Sequence, residues 1–106
     1  MNIDEKNLIE RLKTNDNDAF RTLVKLYHEK IYQICYGFLR NKEDAEDITQ
    51  DVFIEILKSI HFFRGESSIN TWIYRIAVTR SLNLIKKNKI KNFAHSLEQI
   101  ILFKQS

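Results

Sequence analysis

Apolar residues recur every three or four positions along most of this 106-residue chain. The longest run of this kind covers residues 18–39 and forms one broad stripe, made of Phe20, Leu23, Val24, Tyr27, Ile31, Ile34, Cys35 and Phe38. Residues at this spacing share one face of an α-helix. The pattern therefore predicts a long helix from about Asp18 to Leu39, with the stripe turned toward the core.

The same spacing predicts one helix before this segment and two after it. The first covers about 4–13, with Asp4 as a suitable N-cap, and the third covers about 42–60, with Asn41 as its cap. Their expected inward-facing residues are Leu8, Ile9, Leu12, Ile48, Val52, Phe53, Ile56 and Ile60. Both helices therefore have an apolar face to pack against the long one.

A polar segment separates the third helix from the fourth. Residues 61–70 contain one glycine and two serines, which predicts a loop, and Ser68 or Asn70 is suited to cap the helix that follows. The fourth helix is expected to span about 69–89 or 71–89. Its expected inward-facing residues are Trp72, Ile73, Ile76, Ala77 and Leu84.

Composition supports a helical fold class. The chain has only two glycines and no proline, whereas sheet proteins need many turn residues. We therefore predict an all-α fold, a compact bundle of about four helices. A length of 106 residues suits one small domain and is too short for two.

The net charge of +3 conceals two segments of opposite sign. The acids of segment 43–59, opposed by a single lysine, are Glu43, Asp44, Glu46, Asp47, Asp51 and Glu55. The basic residues of segment 75–91, which has no acid, are Arg75, Arg80, Lys86, Lys87, Lys89 and Lys91. Surfaces of opposite sign favour different partners.

Four acids of the third helix are spaced three, four and four residues apart and share one face, the acidic stripe: Asp44, Asp47, Asp51 and Glu55. Gln50 lies beside them. Because acids near a helix N-terminus suit the helix dipole, one interpretation is a capped, solvated face. Four like charges on one face repel one another, so the alternative interpretation is a docking surface for a basic partner.

The fourth helix has a polar and basic face, formed by Arg75, Thr79, Asn83 and Lys86, with Arg80 and Lys87 at its edge. Cations near a helix C-terminus suit the dipole, which is one explanation of the lysines. The alternative is a nucleic-acid surface, because lysine and arginine bind phosphates while arginine and asparagine bond to base edges. The residues alone leave both interpretations open.

Aromatic residues flank the loop between the third and fourth helices. Phe62 and Phe63 stand beside Arg64, a combination that can stack unpaired bases. Adjacent aromatics at a helix end more often close a core, and that is the preferred interpretation of Phe62 and Trp72. For Phe63 the two interpretations remain open.

The sequence lacks the residue patterns of an enzyme. It has no glycine-rich phosphate loop, and its three histidines are not at metal-ligand spacing with Cys35, so we predict no catalysis, metal or cofactor. A lone cysteine in an apolar run suits a reducing cytoplasm, where we expect the protein to act. No apolar run approaches the roughly 18 residues of a membrane span, so we expect no membrane insertion.

Three segments in order resemble one protein family. The run DAEDITQDVFIEI, 44–56, is similar to the polymerase-binding helix of bacterial sigma factors of the extracytoplasmic-function class. FRGESSINTWIYRIA, 63–77, resembles the promoter-melting loop and the start of the minus-ten recognition helix, and the segment 18–39 resembles the preceding long helix. The resemblance covers roughly residues 5–91 and implies a region-2-like domain over 1–91, followed by the start of an interdomain linker at 92–106.

The resemblance implies two partners, core RNA polymerase and promoter DNA. The residues that would dock on the clamp coiled coil of the largest polymerase subunit are Asp44, Asp47, Gln50, Asp51 and Glu55. The loop residues that would capture an unstacked minus-ten base are Phe63, Arg64, Gly65, Glu66 and Ser67. The further residues that would face DNA are Trp72, Arg75, Thr79, Arg80, Asn83, Lys86 and Lys87.

The chain departs from the family pattern in two ways. Val78 and Thr79 stand where this class usually has Arg-Asn, which bears on base preference in the minus-ten element. The second DNA-binding domain of complete factors is absent from the 106 residues. The expected function is a transcription initiation module that melts the minus-ten element. The alternative is a protein that binds polymerase or an anti-sigma factor without directing initiation. An anti-sigma factor is in either case an expected partner.

Overall fold

Four α-helices and one 3₁₀ turn form the structure, a computed structural model that describes residues 4–105. The helices are α1 (Glu5–Lys13), α2 (Asn17–Leu39), α3 (Lys42–Ser59) and α4 (Ile69–Gln105), and the 3₁₀ turn spans Ile60–Phe62. No strand occurs within 4–105, and the predicted all-α fold is confirmed. Residues 1–3 of the predicted domain and residue 106 of the predicted linker lie outside the described residues.

Side-chain caps define where the helices begin. Asp4 accepts a hydrogen bond from the Lys6 backbone N–H, and Asn41 accepts one from the Asp44 N–H at 2.9 Å, as predicted. Of the two candidate caps for α4, Ser68 is the one bonded, since its Oγ accepts from the Thr71 N–H at 3.2 Å. Such caps satisfy N–H groups that have no partner within the helix.

The core lies around α2, which packs against α1, α3 and α4. The buried residues that the spacing placed inward are Leu8, Leu12, Leu23, Ile31, Cys35, Ile48, Val52, Phe53, Ile56, Ile60, Ile73 and Ala77. Those that are partly buried against this core are Ile9, Phe20, Val24, Tyr27, Ile34, Trp72, Ile76 and Leu84. The helical period of the sequence therefore identified nearly all of the core.

Two expected core residues are exposed. Phe38 lies in the last turn of α2, at the end of the bundle, and is 38% exposed. Phe62 is 81% exposed, so its assignment to the core was wrong. The cause is the 3₁₀ turn, in which residues three apart face the same way: Ile60 and Phe63 are buried, and Phe62 points out.

The fourth helix is longer than its pattern indicated, because it continues past Lys89 to Gln105. No glycine or proline interrupts this segment. Every residue from 86 to 105 is exposed, so the packed part of α4 ends with Leu84 and Ile85. Within the described range, no helix has the length and apolar character required to span a membrane.

Candidate functional site

The acidic stripe lies on the outer side of α3. Asp47, Gln50 and Asp51 are exposed, and Asp44 is half-buried near the N-terminus of the helix. The opposite side of α3 is buried against α2 and α4. Since these carboxylates lie outside the core, α3 presents negative charge to solvent.

Glu55, the last member of the stripe, contacts α4. Its carboxylate accepts a hydrogen bond from Ser59 Oγ at 2.8 Å and forms an ion pair with Arg80 Nη2 at 3.2 Å. The Ser59 hydrogen bond and the Arg80 guanidinium hold the pKa of Glu55 below its ordinary value. An expected polymerase-binding residue and an expected DNA-binding residue are thus bonded to each other.

Two apolar side chains stand among the acids of α3 and were missed by the sequence analysis. Ile54 is 49% exposed and Leu57 is 38% exposed. Ile54 follows Asp47 by seven residues and Asp51 by three, so it lies on the same face of the helix. The sequence did contain a signal for their exposure, because neither residue fits the spacing of the buried residues of α3. Apolar groups within a charged face are typical of protein-binding surfaces.

The basic face of α4 is largely free of contacts with the other helices. The residues that are exposed along it are Arg75, Thr79, Asn83, Lys86 and Lys87. Arg80 is half-buried and pairs with Glu55. Lys86 lies eleven residues beyond Arg75, which is about 16 Å along the helix axis. The face can therefore follow a phosphate backbone over several nucleotides.

The loop between α3 and α4 is held by α1 and by aromatic packing. Lys13 Nζ donates to the Phe63 carbonyl at 2.7 Å, and the Ile69 N–H donates to Glu5 Oε1 at 2.8 Å. The Phe63 ring packs on Trp72 with centroids 4.9 Å apart. Gly65 has a φ of 75°, a conformation that side chains disfavour. The loop is therefore anchored at both ends.

A cavity of about 380 Å³, the Trp72 cavity, opens where this loop meets α4. The residues that line it are Phe62, Phe63, Arg64, Glu66, Ser67, Trp72 and Arg75. All but Phe62 are expected DNA-binding residues, and Gly65 lies in the same loop. The cavity combines aromatic surface with two guanidinium groups, against the single carboxylate of Glu66, at the start of the basic face. Such a combination suits a flat anionic ligand such as a nucleotide.

Comparison with known proteins identifies one family and several relatives. The family model described as Sigma-70 region 2 matches residues 23–90. The ECF RNA polymerase sigma factor SigW of Bacillus subtilis (strain 168) is 42% identical over 84 residues, which are 79% of this chain and 45% of SigW. The ECF RNA polymerase sigma-E factor of Haemophilus influenzae (strain ATCC 51907 / DSM 11121 / KW20 / Rd) is 38% identical over 78 residues, 74% of this chain and 41% of that factor.

A solved structure has the same fold. It is the NMR structure of an engineered region 2 of sigmaE in complex with GTAAAA, similar with a TM-score of 0.75 and 27% identity over 84% of this chain and 93% of that chain. The chain spans less than half the length of the two curated relatives named above. The similarity therefore concerns one region of those proteins.

Proposed function

Because this chain belongs to the sigma-70 region 2 family and is similar to ECF sigma factors over that region, we propose that it is a transcription initiation module. It binds core RNA polymerase through α3 and recognises and melts the promoter minus-ten element through the loop and α4. It acts as a binding module without catalysing a reaction.

Polymerase binding is supported by the outer face of α3. Asp47, Gln50 and Asp51 are exposed beside Ile54 and Leu57. Acids steer a basic partner and set its orientation, while desolvated apolar groups provide much of the affinity. This face therefore suits the basic clamp coiled coil implied by the family. Glu55 would contact polymerase only at the edge of this face, because its carboxylate is already paired with Arg80.

DNA melting is supported above all by the Trp72 cavity. An unpaired base is stabilised outside the duplex when an aromatic surface stacks on it and a cation neutralises its phosphate. Trp72 is half-buried and provides the aromatic surface, backed by the buried Phe63, and Arg64 and Arg75 provide the charge. The duplex upstream of this base would lie along the basic face, where Lys86 and Lys87 bind phosphates. The engineered region 2 of sigmaE, which forms a complex with GTAAAA, is consistent with this assignment.

The test is permanganate reactivity of minus-ten thymines in a complex of core polymerase, promoter DNA and this chain. We expect reactive thymines with the wild-type chain and a marked loss with Arg64→Ala. Arg21→Ala, an exposed arginine of α2, is the matched control and should leave the reactivity unchanged. If the wild-type chain binds polymerase and no thymine becomes reactive, the melting function is wrong and the protein is an interaction partner only.

A further inference from the structure

The exposed end of α4, residues 86–105, has an apolar stripe that the proposed function does not use. The stripe consists of Ile90, Phe93, Leu97 and Ile100, which are between 44% and 65% exposed. Because they are spaced three, four and three residues apart, they lie along one side of the helix. The opposite side is polar and carries Asn88, Asn92, His95 and Gln99. This segment is therefore amphipathic, although every residue of it is exposed.

The spacing of the apolar stripe is that of a two-stranded coiled coil. In such a coil, apolar residues recur at alternating intervals of three and four, and each inserts between residues of the facing helix. Two lysines bound the pattern, since Lys86 comes four residues before Ile90 and Lys104 comes four after Ile100. A lysine at such a position weakens pairing, so the apolar part of the pattern covers 90–100.

The stripe is complementary to itself when two copies run in opposite directions. If Ile90 of one copy faces Ile100 of the second, then Phe93 faces Leu97 of the second. One offset satisfies both pairs, because Phe93 comes three residues after Ile90 and Leu97 comes three before Ile100. Two-fold symmetry repeats these two contacts. The antiparallel pair therefore has four successive layers that are apolar on both sides.

The flanking lysines favour this offset over others. In it, Lys86 faces Lys104 of the second copy at each end of the stripe, where water screens the two charges. Moving one helix by seven residues would instead place Lys104 opposite Phe93, or Lys86 opposite Leu97, within the apolar layers. Burying an unpaired ammonium group is unfavourable. The sequence therefore specifies one register for the pair.

Charge decides the direction in which the second copy runs. A parallel pair would bring the lysines of segment 86–91 close to the same lysines of the second copy, namely Lys86, Lys87, Lys89 and Lys91. In the antiparallel pair these lysines lie beside segment 92–105 of the second copy, whose one acid and one lysine balance. That segment also includes the negative end of the helix dipole. Charge complementarity therefore favours the antiparallel direction.

The length of the exposed helix fits this pairing. In the antiparallel register Ile85 lies opposite Gln105 of the second copy, so the paired segment begins where the packed part of α4 ends. The two bundles would then stand at opposite ends of the helix pair, about 30 Å apart along its axis. This separation leaves room for both.

We infer that the apolar stripe is a dimerisation surface and that its partner is a second copy of this chain, paired antiparallel. With only four apolar layers, the contact lies near the lower bound of about 1,200 Å² for specific interfaces, which is typical of weak complexes. We expect a dissociation constant on the order of 100 μM, so the dilute chain is a monomer. The inference does not depend on the proposed function.

Sedimentation equilibrium of the full 106-residue chain, from about 5 μM to 1 mM, tests the pairing. We expect the average mass to rise with concentration from the monomer value of 12.7 kDa toward twice that value. Leu97→Glu should remain a monomer throughout, because it places a carboxylate within the apolar layers. The matched control is Leu102→Glu, which should dimerise like the wild type. Leu102 is 60% exposed and lies on the side of the helix away from the stripe.

Disulfide formation tests the direction of the pair. Ile90→Cys of one copy and Ile100→Cys of another would face each other in the antiparallel register. Under mild oxidation we therefore expect a disulfide in a mixture of the two variants and none in either variant alone. Cys35 is buried and does not compete.

Contrary outcomes are distinct. A wild-type chain that is monomeric at the highest concentration, or a Leu97→Glu variant that dimerises, would show that the stripe does not pair with a second copy. Disulfides in each variant alone would show parallel pairing and contradict the register. If the chain stays monomeric but binds phosphatidylglycerol vesicles, and Leu97→Glu does not, the stripe faces a lipid surface instead. The proposed function is tested separately by the permanganate experiment.

Discussion

At the scale of single residues, Phe62 and Phe63 are adjacent in sequence but differ in environment. Phe63 is 8% exposed and packs on Trp72, while its carbonyl accepts from Lys13. The 3₁₀ turn at Ile60–Phe62 causes the difference, since its tighter winding turns Phe63 inward beneath the loop. Phe63 therefore supports the wall of the Trp72 cavity as well as lining it.

We predict that Phe63→Ala destabilises the fold by about 3–5 kcal/mol, because it leaves a void beside Trp72. Urea unfolding measures this loss. Promoter opening should then fail together with every other activity, so this variant cannot test base capture alone. An unfolding free energy equal to that of the wild type would show that the ring is not needed for packing.

Glu55 and Arg80 provide a second prediction at this scale. The pKa of Glu55 is lower in the folded state than its ordinary value of 4.5. The ionised carboxylate therefore stabilises the fold at any pH above 4.5. This stabilisation is lost as the pH falls through the lowered pKa. We expect Glu55→Gln to reduce stability at pH 7 by about 0.2–1 kcal/mol and to lessen the loss of stability below pH 4.5.

Unfolding curves at pH 7 and under acid conditions measure both effects. Glu46→Gln, at an exposed position on the same helix, is the control. A double-mutant cycle with Arg80→Ala tests whether the two side chains interact. If the effects of the two substitutions simply add, the ion pair contributes nothing to stability.

At the scale of elements, α3 divides its residues between two tasks. Its inner face fills the core with Ile48, Val52 and Ile56, and its outer face presents Asp47 and Asp51. Because the residues of the outer face do not pack in the core, their charges can be changed by substitution without disturbing the packing.

We predict that Asp47→Lys combined with Asp51→Lys abolishes binding to core polymerase and leaves the helical circular dichroism unchanged. Wild-type binding should weaken as salt is added, because exposed charges are screened. Glu98→Lys serves as the control for charge reversal, because Glu98 is an exposed acid of α4 and lies outside α3. Retention of polymerase by the double variant would contradict docking through α3.

At the scale of the whole molecule, α4 gives the protein its elongated shape of 66 × 25 × 22 Å. The bundle ends where α4 loses its packing partners, after Ile85, and residues 86–105 continue as an exposed helix. A domain boundary near residue 91, expected from the family resemblance, remains a prediction. It accords with the exposure of every described residue from 92 to 105.

We predict that removing residues 92–106 shifts the unfolding temperature by no more than about 2–4 °C. Exposed residues contribute little to stability, about 0.5 kcal/mol or less for a typical surface change. The helical signal should fall in proportion to the residues removed. Thermal unfolding followed by circular dichroism measures both quantities. A much larger drop in unfolding temperature would place part of this segment within the folded unit.

The sequence by itself determined the helices, most of their caps and nearly all of the core. These features depend on residues within one or two turns of each other, so the spacing of Leu23, Ile31 and Cys35 or the position of Asn41 is sufficient to predict them. The acidic stripe and the basic face were predictable for the same reason, since each lies on a single helix.

Only the tertiary structure decided the rest. The Glu55–Arg80 pair joins residues 25 apart, the Lys13 bond to the Phe63 carbonyl spans 50, and the Glu5 bond to the Ile69 N–H spans 64. Contacts of this kind have no period in the sequence, because they depend on how the helices are packed together. The same is true of the Trp72 cavity beside the loop, whose walls come from separate elements.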